Sequence, residues 1–300
     1  MNLNPSTRIR KRATAPAALA AALAVGAAAL SGPAAATPPQ GAYWHTRELT
    51  ETVLPWTFGP KSDTYLLVQR RVFEEWHAPG GRWWYGVRDL GVAPRTAADR
   101  KAWQRDGSPG TWRETTDGRS VKLSARPARG TLREQPARDE YLLGGQRLTY
   151  DEVQRLPADP DRLKAWLTEA ARTSRVPDES VGAWLAGVLP ELLHSLPAPQ
   201  EVRAAAYRAL LTLPGVRADG AAEDGLGRPG TAVVTSRTDG KGAGATVVRL
   251  RLVVDTGRMT LLAREQKLTH GGEVLWPKTY VATMAEAGWT NTPPVVPALP

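Results

Sequence analysis

The chain has 300 residues, with 39 Lys+Arg against 30 Asp+Glu, a formal net charge of +9, and no Cys. This length can bury a sizeable core, and the absence of Cys excludes a disulfide scaffold, thiolate metal sites and a thiol nucleophile. The basic excess does not point to nucleic acid. It is 31 Arg to 8 Lys with a single Ile, the mark of a GC-rich genome, and it falls to +5 once residues 1–36 are set aside, with no basic stripe in the remainder.

The first 36 residues read as a secretory signal. Arg8–Arg12 is a basic n-region, Ala13–Leu30 an apolar stretch, and Ala34-Ala35-Ala36 a small-residue cleavage site after Pro33. The mature chain is therefore expected outside the cytoplasm, beginning near Thr37. The alternative is a single N-terminal anchor, for which an Ala-rich span of about 18 residues is barely long enough. Membrane association is expected only in that second case.

Residues 37–42 form a short linker, and residues 43–291 are read as one domain. Its first part, 43–150, is mostly strand. Tyr43–Leu54 and Thr64–His77 are rich in β-formers. In the second, Tyr65, Leu67 and Phe73 share one face and Leu66, Val68, Val72 and Trp76 the other, so both faces should be covered. Ala78-Pro79-Gly80-Gly81 turns the chain into Arg82–Val92. Ala97–Arg105 reads as a short helix, Trp112–Leu123 as one or two edge strands around Asp117-Gly118, and the rest of 94–140 as loop.

The helical block spans 151–214. Asp159-Pro160 supplies an N-cap and a first-turn proline, and Leu163, Trp166, Leu167, Ala170 and Ala171 follow at helical spacing. A second helix carries Val181, Trp184, Leu185, Val188 and Leu189 until Pro190 interrupts it. A third runs from Pro199 to Leu213 and stops at Pro214-Gly215. Strands return over 215–284: Gly215–Glu223, Thr231–Arg237, the alternating Thr246–Asp255, Met259–Leu268 and Val274–Met284. The Pro-rich tail, 292–300, is expected to fray. Strands, helices and strands again, joined by hairpin-length turns, indicate an α+β fold: one curved antiparallel sheet, a half-barrel, with about three helices across one face.

Chemical motifs are few. Asp255-Thr256-Gly257 after an apolar run has the form of an aspartic-protease motif. It is read instead as a hairpin turn, Asp accepting backbone bonds and Gly taking the left-handed position. His45, His77, His194 and His270 show no metal-ligand spacing, and His194 is placed as a cation at a helix C-terminus. No residue is nominated as catalytic or metal-binding, and no cofactor is expected. The eleven Trp against two Phe suggest an aromatic-lined groove, with Trp44, Trp76, Trp84 and Trp276 as its candidates.

A series of landmarks runs through the chain. They are Tyr43-Trp44 with Thr46, Glu74-x-Trp76, Leu156-Pro157-x-Asp159-Pro160, Leu213-Pro214-Gly215-Val216, Asp224-Gly225-x-Gly227-Arg228-x-Gly230, Thr256-Gly257-Arg258 and Gly288-Trp289-Thr290. Together they resemble a family of uncharacterised exported actinobacterial proteins, often encoded beside extracytoplasmic-function sigma factors. More distantly, the layout is similar to the half-barrels of lipoprotein carriers and periplasmic sigma-factor regulators. That resemblance implies a sheet cupping helices around an apolar cavity, and it carries no catalytic residues. The function expected is a non-catalytic exported protein that binds an apolar small molecule or a lipidated or protein partner of the envelope, with a sensory role in envelope regulation. The alternatives are a hydrolase with a site assembled from distant residues and a structural envelope protein.

Overall fold

A computed structural model describes residues 40–116, 119–136, 141–239 and 242–300; the signal segment and the Asp117-Gly118 turn lie outside these. Thirteen strands and five α-helices are present among the described residues. The first strands are β1 (Tyr43–Phe58), β2 (Tyr65–His77) and β3 (Trp83–Pro94), followed by α1 (Ala97–Arg105), β4 (Thr111–Thr116), β5 (Arg119–Ser124) and β6 (Thr131–Gln135). Next come β7 (Tyr141–Leu143), β8 (Gln146–Leu148), α2 (Tyr150–Gln154), α3 (Pro160–Thr173), α4 (Val181–Val188) and α5 (Gln200–Leu211). The chain ends with β9 (Arg217–Glu223), β10 (Pro229–Asp239), β11 (Thr246–Asp255), β12 (Thr260–His270) and β13 (Glu273–Thr290).

Nine strands form one curved, open antiparallel sheet in the order β6-β3-β2-β1-β13-β12-β11-β10-β9. Two meanders, β1–β3 and β9–β13, meet at the centre, where the long β1 pairs with the long β13 from Tyr43↔Thr290 to Thr52↔Tyr280. The sheet is thus closed in the middle by the strands farthest apart in sequence, a topology of high contact order. Along the chain the helical block connects the two meanders, and it packs on the second. Thr96 opens α1 with a capping box to Asp99, and Asp159 caps α3 by accepting from the backbone N–H groups of Asp161 and Arg162 at 3.1 and 2.9 Å. The main core lies where α3, α4 and α5 bury Leu163, Leu167, Leu185 and Leu210 against Val233, Leu252, Val254, Ala282 and Met284 of the sheet.

Three details differ from the sequence reading. The central helical block has four α-helices rather than three, because Tyr150–Gln154 closes a turn of its own under a Thr149–Glu152 capping box, while Ala97–Arg105 is the short helix expected there. β4 and β5 pair only with each other, and β6, in a stretch read as loop, forms the edge of the main sheet. Leu143-Gly144-Gly145-Gln146 makes a two-residue hairpin in which both glycines have positive φ, 55° and 84°; a Cβ at Gly144 would also strike the Trp184 ring at 2.7 Å.

Asp255-Thr256-Gly257 is a hairpin turn, with Asp255 paired to Thr260 across the β11–β12 ladder. The Asp255 Oδ1 accepts from the N–H groups of Gly257 and Arg258 at 2.9 and 3.0 Å. From α5, Gln200 donates to the Gly257 carbonyl and Arg203 to the Arg258 carbonyl. The left-handed residue is Met259 (φ 53°), not Gly257; its side chain packs against the helical core, which offsets the backbone strain. Asp255→Asn keeps an acceptor in place, so a stability change of about 1 kcal/mol or less is expected in urea unfolding. A larger loss would mean that the carboxylate charge itself matters.

Candidate functional site

The sheet has two differently furnished faces. On the helix-bearing face lie two separate apolar clusters. One is the core under α3–α5; the other is Leu54, Phe58, Tyr65, Leu67 and Val92 beneath Ala102 of α1 and Trp112 and Leu123 of the β4–β5 hairpin. Between them, β1, β2, β13 and β12 present mainly polar side chains. Strand pairing puts Glu48 opposite Phe73, Thr52 opposite Gln69 and Tyr280, and Tyr280 opposite Gln266. Glu48, Phe73, Arg264, Gln266 and Tyr280 are all half-buried.

This strip is organised around Arg264. The Tyr280 hydroxyl donates to Glu48 Oε1 at 2.5 Å, and the Arg264 guanidinium lies 5.7 Å from the Tyr280 ring centre. Burial, reinforced by the Glu48 charge, pushes the Tyr280 phenol up, so it remains a donor. From above, the 3-10 turn Leu189–Leu193 brings Glu191 and the adjoining His194. Burial pushes Glu191 up to about 7, against the pull of the Gly144 N–H and the Arg264 charge. His194 is driven down to about 4, first by burial and then by Arg264, with Glu75 opposing. It is therefore neutral at pH 7, not the helix-terminal cation its sequence position suggests. Its Nδ1 contacts the Ser195 hydroxyl at 3.1 Å, while Nε2 is buried with no hydrogen-bond partner among the described residues.

Chemically, the strip offers a cation, a carboxylate engaged by the Tyr280 phenol, and a second carboxyl that changes charge near neutrality, all between apolar walls. Perturbed titratable groups beside a half-buried cation make this strip the candidate site. The His194–Ser195 contact joins sequence neighbours, and among the described residues no carboxylate is hydrogen-bonded to the other imidazole nitrogen. Among the described residues no group of three or more His, Asp or Glu is placed to hold a metal ion.

The four Trp candidates do not share one groove. Trp44 is buried on the helix-bearing face, edge-on to Trp289 at 5.7 Å. Trp76 and Trp84 pair with each other on the opposite face, because Trp76 lies opposite His45, one residue out of step with Trp44. Trp276 pairs with Leu268 in the ladder, and its side chain is outside the described part of the structure. Sequence reasoning did not single out Glu48, Arg264, Tyr280 or Glu191. The one available signal was Glu191, a carboxylate inside the apolar run Val188–Leu193.

The opposite face carries a shallow pocket of about 450 Å³ lined by Glu51, Val53, Arg70, Arg95, Arg100 and Val281. Glu51, Arg70 and Arg100 are exposed, so it lacks the buried polar groups of the Arg264 strip. No protein-family model matches the chain, and no curated protein is significantly similar to it.

Proposed function

We propose that this chain is an exported, non-catalytic binding protein of the cell envelope, and that its ligand lies on the helix-bearing face along the Arg264 strip. The observation that carries this reading is the division of that face into two apolar clusters with a half-buried polar strip between them. The polar groups of the strip pair with one another, Tyr280 with Glu48 and Arg264 over the Tyr280 ring, and their half-burial leaves them within reach of a ligand laid between the clusters. The ligand that suits the strip has an apolar body to lie on the cluster walls and a polar head for the Arg264 guanidinium. The basic n-region, the apolar stretch and the small-residue site ahead of Thr37 support export.

The test uses a fluorescent fatty acid, whose carboxylate meets Arg264. The full mature chain is expected to bind it, and Arg264→Ala to weaken binding about tenfold, equivalent to about 1.4 kcal/mol. Absence of probe binding by the parent, with no lipid seen in native mass spectra of protein from its own host, would overturn the proposal.

A further inference from the structure

The C-terminal tail does not fray. Asn291 holds the Ala42 N–H at 3.0 Å, and the tail then crosses the face opposite the helices. Pro297 is buried over Gly86, where a Cβ would meet its ring at 2.8 Å, and Val296 covers Gly130, where a Cβ would meet it at 2.6 Å. Trp76 forms the wall of the proline seat, its ring 3.4 Å from the same Gly86 position. Arg47, fixed at 2.6 Å by the buried Glu74, donates to the Ala298 carbonyl at 2.9 Å. The groove thus reads a proline ring and a backbone carbonyl, the two features that an extended proline-containing peptide of almost any sequence offers. The resident segment is anchored chiefly through Pro297 and the Ala298 carbonyl, while Val295, Val296 and Leu299 remain 50%, 43% and 53% exposed.

We infer that this groove, formed by Trp76, Gly86, Gly130 and the Arg47–Glu74 pair, is a recognition site for an extended proline-containing segment of a partner polypeptide, and that residues 294–299 occupy it as an intramolecular competitor. A tethered tail competes at an effective concentration in about the millimolar range, so an added peptide meets a largely closed site.

The experiment keeps the full mature chain and adds a fluorescent peptide with the sequence of residues 291–300. Pro297→Ser in the protein is expected to expose residues 292–300 to hydrogen exchange and to raise peptide affinity at least tenfold over the parent, with a Kd below about 1 mM. The same peptide carrying serine at the position of Pro297 should bind at least tenfold more weakly. Gly86→Val, which fills the seat, should free the tail and bind neither peptide. A released tail without peptide binding would reduce the segment to a closing strap and overturn the inference. So would a tail that stays protected in both protein variants, or binding indifferent to the peptide's proline. Peptide-independent dimers of the Pro297→Ser protein would instead assign the groove to a second copy's tail, against the partner proposed.

Discussion

Replacing Arg228 by alanine is expected to destabilise the fold by about 2–3 kcal/mol, the cost of taking the charged donor from a buried carboxylate, kept below that of a fully buried ion pair because the guanidinium is 35% exposed. Arg228 comes from the Asp224–Gly230 turn between β9 and β10. Its Nε donates to Asp224 at 2.7 Å, and its Nη groups donate to the carbonyls of Met284 at 2.7 Å and Ala285 at 3.3 Å, with Leu262 at 3.5 Å. Ala285 and Leu262 are the extra residues where β13 slips against β1 and β12 against β11. The guanidinium therefore serves carbonyls at two of the bulges in the main sheet. Alanine leaves them without that donor and leaves Asp224, whose side chain is fully buried, without its counter-charge. The Asp224 carboxyl is held below the usual carboxylate range: burial pushes it up, but the Arg228 backbone and side-chain bonds and the Leu226 N–H together outweigh that. A folded value below the unfolded one stabilises the protein above the ordinary carboxylate range. That contribution disappears as pH falls through the lowered value. Arg228→Ala should therefore also move acid unfolding to higher pH. Urea unfolding at pH 7 and an acid titration measure both effects; a loss below about 1 kcal/mol would mean that water replaces the guanidinium.

What was legible in the sequence was local. Asp159-Pro160 announced α3 because a cap acts within one turn, and Thr246–Asp255 announced β11 because alternation needs no knowledge of its partner. The two faces of β2 were also readable: Tyr65 and Leu67 are buried on one, Val72 and Trp76 on the other. What covers the second face was not readable, since its cover is the tail more than 200 residues away. Asp224-Gly225-x-Gly227-Arg228 stood out as a landmark, but its reason lies in bulges of strands that it does not adjoin in sequence. The Arg264 strip was hidden for a related cause. Each of Glu48, Arg264 and Tyr280 looks like an ordinary polar residue of an alternating strand, and only the β1–β13–β12 pairing gathers them under Glu191.

Trp76→Ala supplies the other large effect and separates the two faces. The Trp76 ring is 2% exposed, stacked on His45 at 4.7 Å with an 18° interplanar angle. Removing it opens a cavity beneath the Pro297 seat and strips a wall from the Glu74 pairings with His45 and Arg47. A loss of about 3–5 kcal/mol is expected, because transfer and cavity terms add. Trp84 sits on the same face but is half-buried, with Tyr43 edge-on at 5.6 Å and the Arg82 guanidinium 5.2 Å from its ring centre. Its alanine variant should cost about 1–2 kcal/mol, in proportion to the smaller area withdrawn from water. Trp76→Phe, which keeps a ring in place, provides a milder variant that remains folded for binding assays. The Arg264 strip lies across the sheet from Trp76, so Trp76→Phe should bind the fluorescent fatty acid as the parent does. Loss of the probe in a folded Trp76→Phe protein, with Arg264→Ala unaffected, would move the ligand to the tail-covered face.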